Sequence, residues 1–250
     1  MSEDNTRPEF LIEKLLPANE IHLLAGPSGA GKTRWLIQML KNEWERGFPV
    51  LGYHSNPVPW CYIGSDRSTK SVRRTISDIG IDPDTINIIP CWGRDRKTMA
   101  GIEQVIEDSG AYLAVIEGFA GFCDGDNSHH VRNFLCTVQA WIQHKNLTII
   151  GVVESPKMKP YERYENPRQR VSGAAAWAHY SDTIMLVEPR DSRHPKLPDR
   201  ILHICPRNAS ALEVHGGFTE DGRLIFDTAG IQKPEDMMGE PQVNPFKRVN

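Results

Sequence analysis

One segment, residues 26–33, constrains the fold of this chain more than any other part of its sequence. It reads GPSGAGKT and matches G-x-x-x-x-G-K-[S/T], the pattern of a phosphate-binding loop. This pattern needs a strand before it and a helix after it. Both flanks fit, because residues 21–25 form a short apolar run and the residues after Thr33 carry apolar side chains at helical spacing. Such a strand–loop–helix unit favours an α/β domain with a mostly parallel sheet.

The loop sequence predicts how a nucleoside triphosphate is held. Glycines let successive backbone N–H groups and the helix N-terminus face the phosphates. We expect Lys32 to neutralise the β- and γ-phosphate oxygens and Thr33 to offer its hydroxyl to Mg²⁺. The residues predicted to bind ATP are Gly26, Pro27, Ser28, Gly29, Ala30, Gly31, Lys32, Thr33 and Arg34.

The remaining pattern alternates short apolar runs with helical periods, as in βαβ units. We predict a single domain over residues 1–227, with a flexible N-terminus at 1–8 and a short helix at 9–16. The runs TIMLVE, ILHIC, ALEVH and RLIF are separated by turn residues and predict antiparallel strands that close the sheet. Residues 228–250 are rich in proline and polar side chains, which predicts a tail.

Two acidic residues follow predicted core strands. Glu117 follows AYLAVI and is the predicted metal-side acid, with an exposed strand-end carboxylate as the alternative. Asp124 and Asp126 are nearby candidates for the same role, although turns often contain aspartates. Asp66 follows WCYIGS and is predicted to orient or deprotonate the attacking water. Its alternative role is to cap a helix beginning near Ser68.

Composition excludes several classes of protein. The net charge is −3, so the whole surface cannot coat nucleic acid, although a local basic loop still can bind it. The five cysteines contain no C-x-x-C pair, which argues against a disulfide framework or a cysteine zinc site. No apolar run approaches 18 residues and the start is polar, so we expect a cytoplasmic protein without a membrane span.

One predicted loop, residues 155–170, combines basic and aromatic side chains. Its five basic and two acidic residues give a local charge of +3. Lysines and arginines there can contact phosphates, and tyrosines can stack on bases. The alternative is a solvated loop with no ligand. The nucleic-acid candidates are Lys157, Lys159, Tyr161, Arg163, Tyr164, Arg168 and Arg170.

With these residues placed, the chain resembles the RecA-like P-loop ATPases, within them the RepA-type hexameric replicative helicases, and it is also similar to the DnaB motor domain. The likeness extends from residue 21 to residue 226 through YIGSDRS, LAVIEGFAGF, TIIGVVESPK and ILHICPRNASALEV. It implies a three-layer α/β/α fold, ATP and Mg²⁺ as cofactors, a homo-oligomeric ring expected to be a hexamer, and single-stranded DNA as a partner.

The chain departs from that family at several positions. The family's metal-side aspartate is Glu117, its glutamate at the second strand is Asp66, and its sensor histidine or glutamine is Glu154. The resemblance implies that Arg207 is a finger acting on a neighbouring subunit's phosphates, although Cys205 replaces the accompanying lysine. The alternative for Arg207 is a strand-end arginine in solvent.

The sequence therefore predicts an ATP-hydrolysing motor that acts on DNA as a homo-oligomeric ring of the replicative helicase type. Its predicted catalytic residues are Lys32, Asp66, Glu117 and Arg207, and its metal ligands are Thr33 and Glu117. Two alternatives remain open. One is a P-loop kinase of a small molecule, and the other is a weakly hydrolysing, nucleotide-gated scaffold or loader.

Overall fold

A computed structural model gives the structure of the chain. It describes residues 8–64, 68–90, 99–123, 126–155, 168, 171, 176–191 and 193–227. The predicted tail and almost all of the predicted flexible N-terminus lie outside these residues. Within them, no helix is long and apolar enough to cross a membrane.

A mixed β-sheet forms the centre of the fold. Its strands, in chain order, are β3 (Ile21–Gly26), β4 (Trp60–Gly64), β5 (Ile88–Pro90), β6 (Leu113–Ile116), β7 (Thr148–Glu154), β8 (Thr183–Pro189), β9 (Asp199–Pro206), β10 (Leu212–Phe218) and β11 (Leu224–Phe226). Their spatial order is β11-β10-β9-β8-β3-β7-β6-β4-β5. The strands from β8 to β5 in this order pair in parallel, and β9, β10 and β11 pair antiparallel.

Helices cover both faces of this sheet. They are α1 (Lys32–Gln38), α2 (Thr69–Ser77), α3 (Met99–Ser109), α4 (Ser128–Lys145) and α5 (Ala176–Tyr180). One apolar cluster joins α1 and α2 to one face of the sheet, and a second joins α3, α4 and α5 to the other. The central strands are apolar throughout because both of their faces are buried, as parallel sheets require. The predicted three-layer α/β/α fold with antiparallel C-terminal strands is confirmed.

The N-terminal segment differs from the prediction. Residues 9–16 do not form a helix. Instead, β1 (Phe10–Ile12) and β2 (Leu16–Pro17) pair antiparallel around a turn in which Lys14 has a φ of 60°. Leu11, Ile12, Leu15 and Leu16 are all buried in the α1 side of the core. The spacing of these four residues is also compatible with one face of a helix. In the structure, the chain instead turns at Lys14 and forms a hairpin.

The first helix ends in an unusual way. After α1 the chain continues as a π-helical turn over Met39–Glu43 and a 3₁₀ turn over Trp44–Arg46. It stops at Gly47, which has a φ of 67°, a left-handed conformation that glycine adopts readily at a helix end. Trp44 is 1% exposed, and its indole N–H donates to the Leu11 carbonyl. The helix that follows the phosphate-binding loop is therefore held against the N-terminal hairpin.

Candidate active site

Three of the predicted site residues, Lys32, Thr33 and Glu117, lie at one edge of the sheet. Parallel pairing brings the carboxyl ends of β3, β7, β6 and β4 together, and ligands of open α/β sheets bind at this edge. Gly26 is paired with Glu154, and Ile63 with Ile116, the residue before Glu117. The backbone N–H of Glu117 donates to the Ile63 carbonyl at 2.9 Å. The phosphate-binding loop and the predicted metal-side acid thus follow strands that end at the same edge of the sheet, with β7 between them.

Two glycines of the loop are needed where they stand. A Cβ atom on Gly26 would lie 2.3 Å from the Val187 carbonyl oxygen, so no side chain fits there. Gly31 has a φ of 100°, and a Cβ atom on it would lie 2.6 Å from Cζ of Phe218. Ser28 and Gly29 at the tip of the loop are exposed. The loop therefore packs tightly on its inner side and presents its tip to solvent, as a phosphate cradle must.

Lys32 is folded over this loop. Its ammonium donates to the Gly26 carbonyl at 2.7 Å and to the Pro27 carbonyl at 3.2 Å. The residue is only 9% exposed. The charge is thus held at the mouth of the cradle, where it can neutralise phosphate oxygens.

Thr33 and Glu117 meet directly. The Thr33 hydroxyl donates to the Glu117 carboxylate, with Oγ1 at 2.8 Å from Oε1 and 3.0 Å from Oε2. Glu117 is 3% exposed, and the phenol of Tyr62 on β4 also donates to its Oε2. Because Thr33 donates its proton to the carboxylate, its lone pairs remain available as a metal ligand.

This pair of oxygen groups fits Mg²⁺. The ion prefers oxygen ligands, and it is usually held by one or two protein groups together with phosphates and waters. Among the described residues, no group of three or more His, Cys, Asp or Glu side chains could hold a metal alone. Thr33 and Glu117 would therefore hold Mg²⁺ together with the triphosphate, rather than as a cage built by protein alone.

The end of β7 places a serine beside the loop. The backbone N–H of Ser155 donates to the Gly26 carbonyl at 3.1 Å, the same oxygen that accepts from Lys32. Ser155 is 6% exposed, and among the residues that the structure describes its hydroxyl has no hydrogen-bond partner. Glu154, the residue at the family's sensor position, is exposed. A buried hydroxyl without a partner beside a phosphate cradle is suited to a ligand oxygen.

The antiparallel strands support the loop from behind. Arg200 on β9 is 4% exposed, donates to the Ala30 carbonyl at 3.2 Å and lies over the Phe218 ring. Burial lowers the pKa of its guanidinium. Arg34 was predicted to bind the cofactor. Its guanidinium instead donates to the Gly222 carbonyl at 2.8 Å, so its side chain supports the packing of the loop.

Two further arginines lie at the opposite edge of the sheet. Arg168 donates to four carbonyl oxygens, those of Ala178, Ser181, Asp182 and Cys205, and burial lowers the pKa of its guanidinium. The structure therefore does not support the prediction that Arg168 contacts nucleic-acid phosphates. Arg207 is exposed and donates to the carbonyls of His179 and Ser181.

The position of Arg207 follows from strand direction. Pro206 pairs with Thr183 at the start of β8, whereas the phosphate-binding loop lies at the carboxyl edge of the sheet. The length of β8 separates these edges by about 20 Å. Arg207 therefore lies far from the phosphates of its own subunit.

Several predicted residues lie outside the described part of the chain: Asp66, Asp124, Lys157, Lys159, Tyr161, Arg163, Tyr164 and Arg170. The N-cap of α2 is Ser68, whose hydroxyl accepts from the Ser71 N–H. Ser68 thus fills the role that the capping alternative gave to Asp66. Asp126 is exposed just before α4, where Asn127 forms the N-cap.

Sequence reasoning missed three residues of the site: Tyr62, Ser155 and Arg200. Tyr62 lies inside an apolar strand, where a tyrosine is typical of a core. Its only sequence signal was its position on the strand that precedes Asp66. Arg200 and Ser155 carried no signal, because burial of an arginine or a serine is known only once the strands are packed.

A sequence profile of the family described as AAA domain matches residues 2–159 of this chain, which is more than half of its length. The match includes the phosphate-binding loop, the Tyr62 strand, Glu117 and Ser155. No curated protein matches this chain.

Proposed function

Because the chain belongs to the AAA domain family, whose members are P-loop ATPases, we propose that it is an ATP-hydrolysing motor that acts on DNA as a homo-oligomeric ring. The observation that carries the ATPase part is the contact between the Thr33 hydroxyl and the Glu117 carboxylate beside Lys32. The resemblance to RepA-type replicative helicases supports the motor and ring parts.

The described residues account for binding and orientation of the triphosphate. The loop N–H groups and the Lys32 ammonium would hold the phosphate oxygens, and the adjacent Thr33 and Glu117 would hold Mg²⁺. When bound, the ion would supply positive charge that neutralises the phosphates. Asp66, two residues after β4 in the sequence, is proposed to orient the attacking water and accept its proton. Ser155 is suited to donate to a phosphate oxygen or to that water.

The proposed ring follows from the location of Arg207. An arginine about 20 Å from its own phosphate site can act as a finger only on a neighbouring subunit. Its exposure leaves it accessible to such a neighbour. We propose that ATP lies between subunits, with Arg207 of one approaching the phosphates held by the next.

The proposed DNA contact follows from the chain direction at Ser155. Residues 156–170, which carry the lysines and tyrosines, continue directly from the serine beside the phosphate cradle. A movement of Ser155 when the bound phosphates change would therefore be passed directly along the backbone to these residues. Lysines there would contact the DNA backbone and tyrosines would stack on bases.

One set of measurements tests the proposal: phosphate release from ATP with and without single-stranded DNA. Lys32→Ala is expected to abolish productive ATP binding, because the charge at the mouth of the cradle is lost. Asp66→Asn is expected to retain ATP binding and to slow hydrolysis about 10²- to 10⁴-fold. Replacing Lys157 and Lys159 with alanine is expected to remove stimulation by DNA and to leave basal hydrolysis intact.

Matched controls are Lys196→Ala and Asp108→Asn, because both residues are exposed and neither is among the predicted or observed site residues. Unchanged ATP turnover in Lys32→Ala would overturn the ATPase assignment. Turnover that is indifferent to DNA would overturn the motor proposal. Phosphoryl transfer to a small acceptor would favour a kinase, and ATP binding with little turnover would favour a scaffold or loader.

A further inference from the structure

Glu117 is held from two sides, by groups from different elements. The Thr33 hydroxyl approaches its carboxylate from α1, and the Tyr62 phenol donates to Oε2 from β4. A glutamate has one more methylene than the aspartate found in the resembled family, so its carboxylate has more positions to occupy. A second donor restricts it to the position that faces Thr33.

Tyr62 is itself rigidly placed. It is 0% exposed, and its ring belongs to the apolar cluster between the sheet and α1. Its backbone N–H donates to the Asn87 carbonyl at 2.9 Å, and it pairs with Val115, two residues before Glu117. Residues in such a diagonal relation on adjacent strands project from the same face of the sheet, which brings the phenol to the carboxylate.

We propose that Tyr62 is a positioning residue for the magnesium site and acts through the Glu117 carboxylate. In this role it acts on the carboxylate and is not itself a ligand of the ion. A hydrogen bond from a buried phenol to a carboxylate is charge-assisted and therefore strong and directional. The inference rests on the proposed ATP site, and it adds to the metal site a residue that neither the loop motif nor the family match assigns.

The same contact joins two strands that serve the reaction. Tyr62 lies on β4, four residues before Asp66, and Glu117 follows β6. The hydrogen bond therefore links the strand that leads to the proposed water-activating acid with the acid that holds the metal. Groups that orient a metal-binding residue commonly change metal affinity about 10- to 100-fold when they are removed.

The test is Tyr62→Phe, which removes the hydroxyl and keeps the ring. Binding of ATPγS is measured by calorimetry over a series of Mg²⁺ concentrations and again in EDTA. The Mg²⁺ concentration at half-maximal binding is expected to rise about 10- to 100-fold, and the affinity in EDTA to stay within about twofold of wild type. A purely structural role would lower thermal stability and leave the Mg²⁺ dependence unchanged, which would overturn the proposal.

Tyr53→Phe is the matched control. Tyr53 is a half-buried tyrosine that packs against the same apolar cluster, in a turn next to the N-terminal hairpin where it pairs with Val50. Its Mg²⁺ dependence is expected to equal that of wild type. A rise in this variant as large as that in Tyr62→Phe would overturn a specific role for Tyr62.

Two further variants show whether Tyr62 acts through Glu117. In a Glu117→Gln background, adding Tyr62→Phe is expected to change the Mg²⁺ dependence by less than about twofold, because the carboxylate is already lost. A full additional rise would overturn the proposal.

Glu117→Asp, which is informative even if Tyr62→Phe does not fold, is expected to require more Mg²⁺, since the shorter side chain cannot reach both donors. Wild-type Mg²⁺ dependence in Glu117→Asp would overturn the role of Tyr62.

These outcomes separate the inference from the function on which it rests. Wild-type protein that binds no ATPγS with Mg²⁺, or Lys32→Ala that binds it normally, would overturn the nucleotide site itself. Wild-type binding that depends on Mg²⁺, together with unchanged Mg²⁺ dependence in Tyr62→Phe, would overturn the positioning role alone.

Discussion

His22, on the strand that leads to the phosphate-binding loop, is fully buried. Its Nε2 contacts the Pro17 carbonyl at 2.8 Å, and within the described part of the chain its Nδ1 has no hydrogen-bond partner. Burial is the main cause that lowers the pKa of this imidazole to about 4, against opposing effects of the Pro17 carbonyl and Asp182. A protonated ring would bury a charge and leave one N–H without an acceptor, so the folded protein keeps His22 neutral.

This histidine predicts acid sensitivity. The unfolded chain has an ordinary histidine pKa near 6.5, so between pH 6.5 and 4 it binds more protons than the folded chain. The free energy of unfolding should therefore fall as the pH drops through this window, with His22 contributing up to about 3 kcal/mol. Urea unfolding at several pH values measures this change in the free energy of unfolding. His22→Gln should flatten this part of the profile, and His144→Gln, at an exposed histidine, should not.

At the level of single residues, the sequence could predict the roles of residues that belong to a recognisable motif, and few others. Lys32, Thr33 and Glu117 were found because each belongs to a pattern of loop or strand end, and the structure brings Thr33 and Glu117 into contact. The arginines could not be assigned in the same way. Arg34 and Arg168 bind backbone carbonyls of their own chain, and no spacing distinguishes an arginine that binds carbonyls from one that binds phosphates.

At the level of elements, the antiparallel strands β9, β10 and β11 support the phosphate-binding loop and its helix. Phe218 and Leu224 pack against Gly31, and the Leu224 N–H donates to the Gln38 side chain at 3.0 Å. Trp35 meets Phe226 edge to face, with ring centroids 5.8 Å apart. These strands lie beyond the part of the chain that the family profile matches.

This packing predicts different effects for two glycines of the loop. Both Gly29 and Gly31 have positive φ, but a Cβ atom on Gly29 meets nothing within 4 Å, whereas one on Gly31 meets Phe218 and Leu224. Each alanine substitution should cost about 1–3 kcal/mol in backbone strain. Gly31→Ala should lower the free energy of unfolding more than Gly29→Ala, because Phe218 and Leu224 must also move to make room for the methyl group. Urea unfolding without nucleotide compares the two variants, and equal losses would contradict the role of this contact.

The elements themselves were mostly predictable. The alternation of strands and amphipathic helices could be predicted from periodicity, and α4, over Ser128–Lys145, buries one apolar face. The N-terminal hairpin was missed, since its four buried aliphatic residues also fit a helical face. Only the turn at Lys14, stabilised by the rest of the fold, decides between the two.

At the level of the whole molecule, the location of Arg207 makes a prediction about assembly. If the arginine acts on a neighbour, Arg207→Ala subunits mixed into wild type should reduce ATP turnover by more than their fraction, because each disables an adjacent site. Phosphate release across a mixing series measures this effect. Arg193→Ala, at another exposed arginine, is the control. In its mixing series the total turnover should change linearly with the fraction of the variant, because these subunits do not affect their neighbours. A linear decrease with Arg207→Ala would contradict a finger acting between subunits.

The support that β11 gives to the phosphate-binding loop also bears on how the chain folds during synthesis. Arg34 contacts a carbonyl 188 residues further along the chain, and Gln38 contacts a backbone amide 186 residues away. Contacts this distant in sequence form late, since a large loop of chain must close first. Because the ribosome releases the chain from its N-terminus, the GPSGAGKT segment emerges early. The strands that support it, residues 199–226, emerge only near the end of synthesis. A nascent or truncated chain that ends before them carries the complete phosphate-binding motif without the strands that support it.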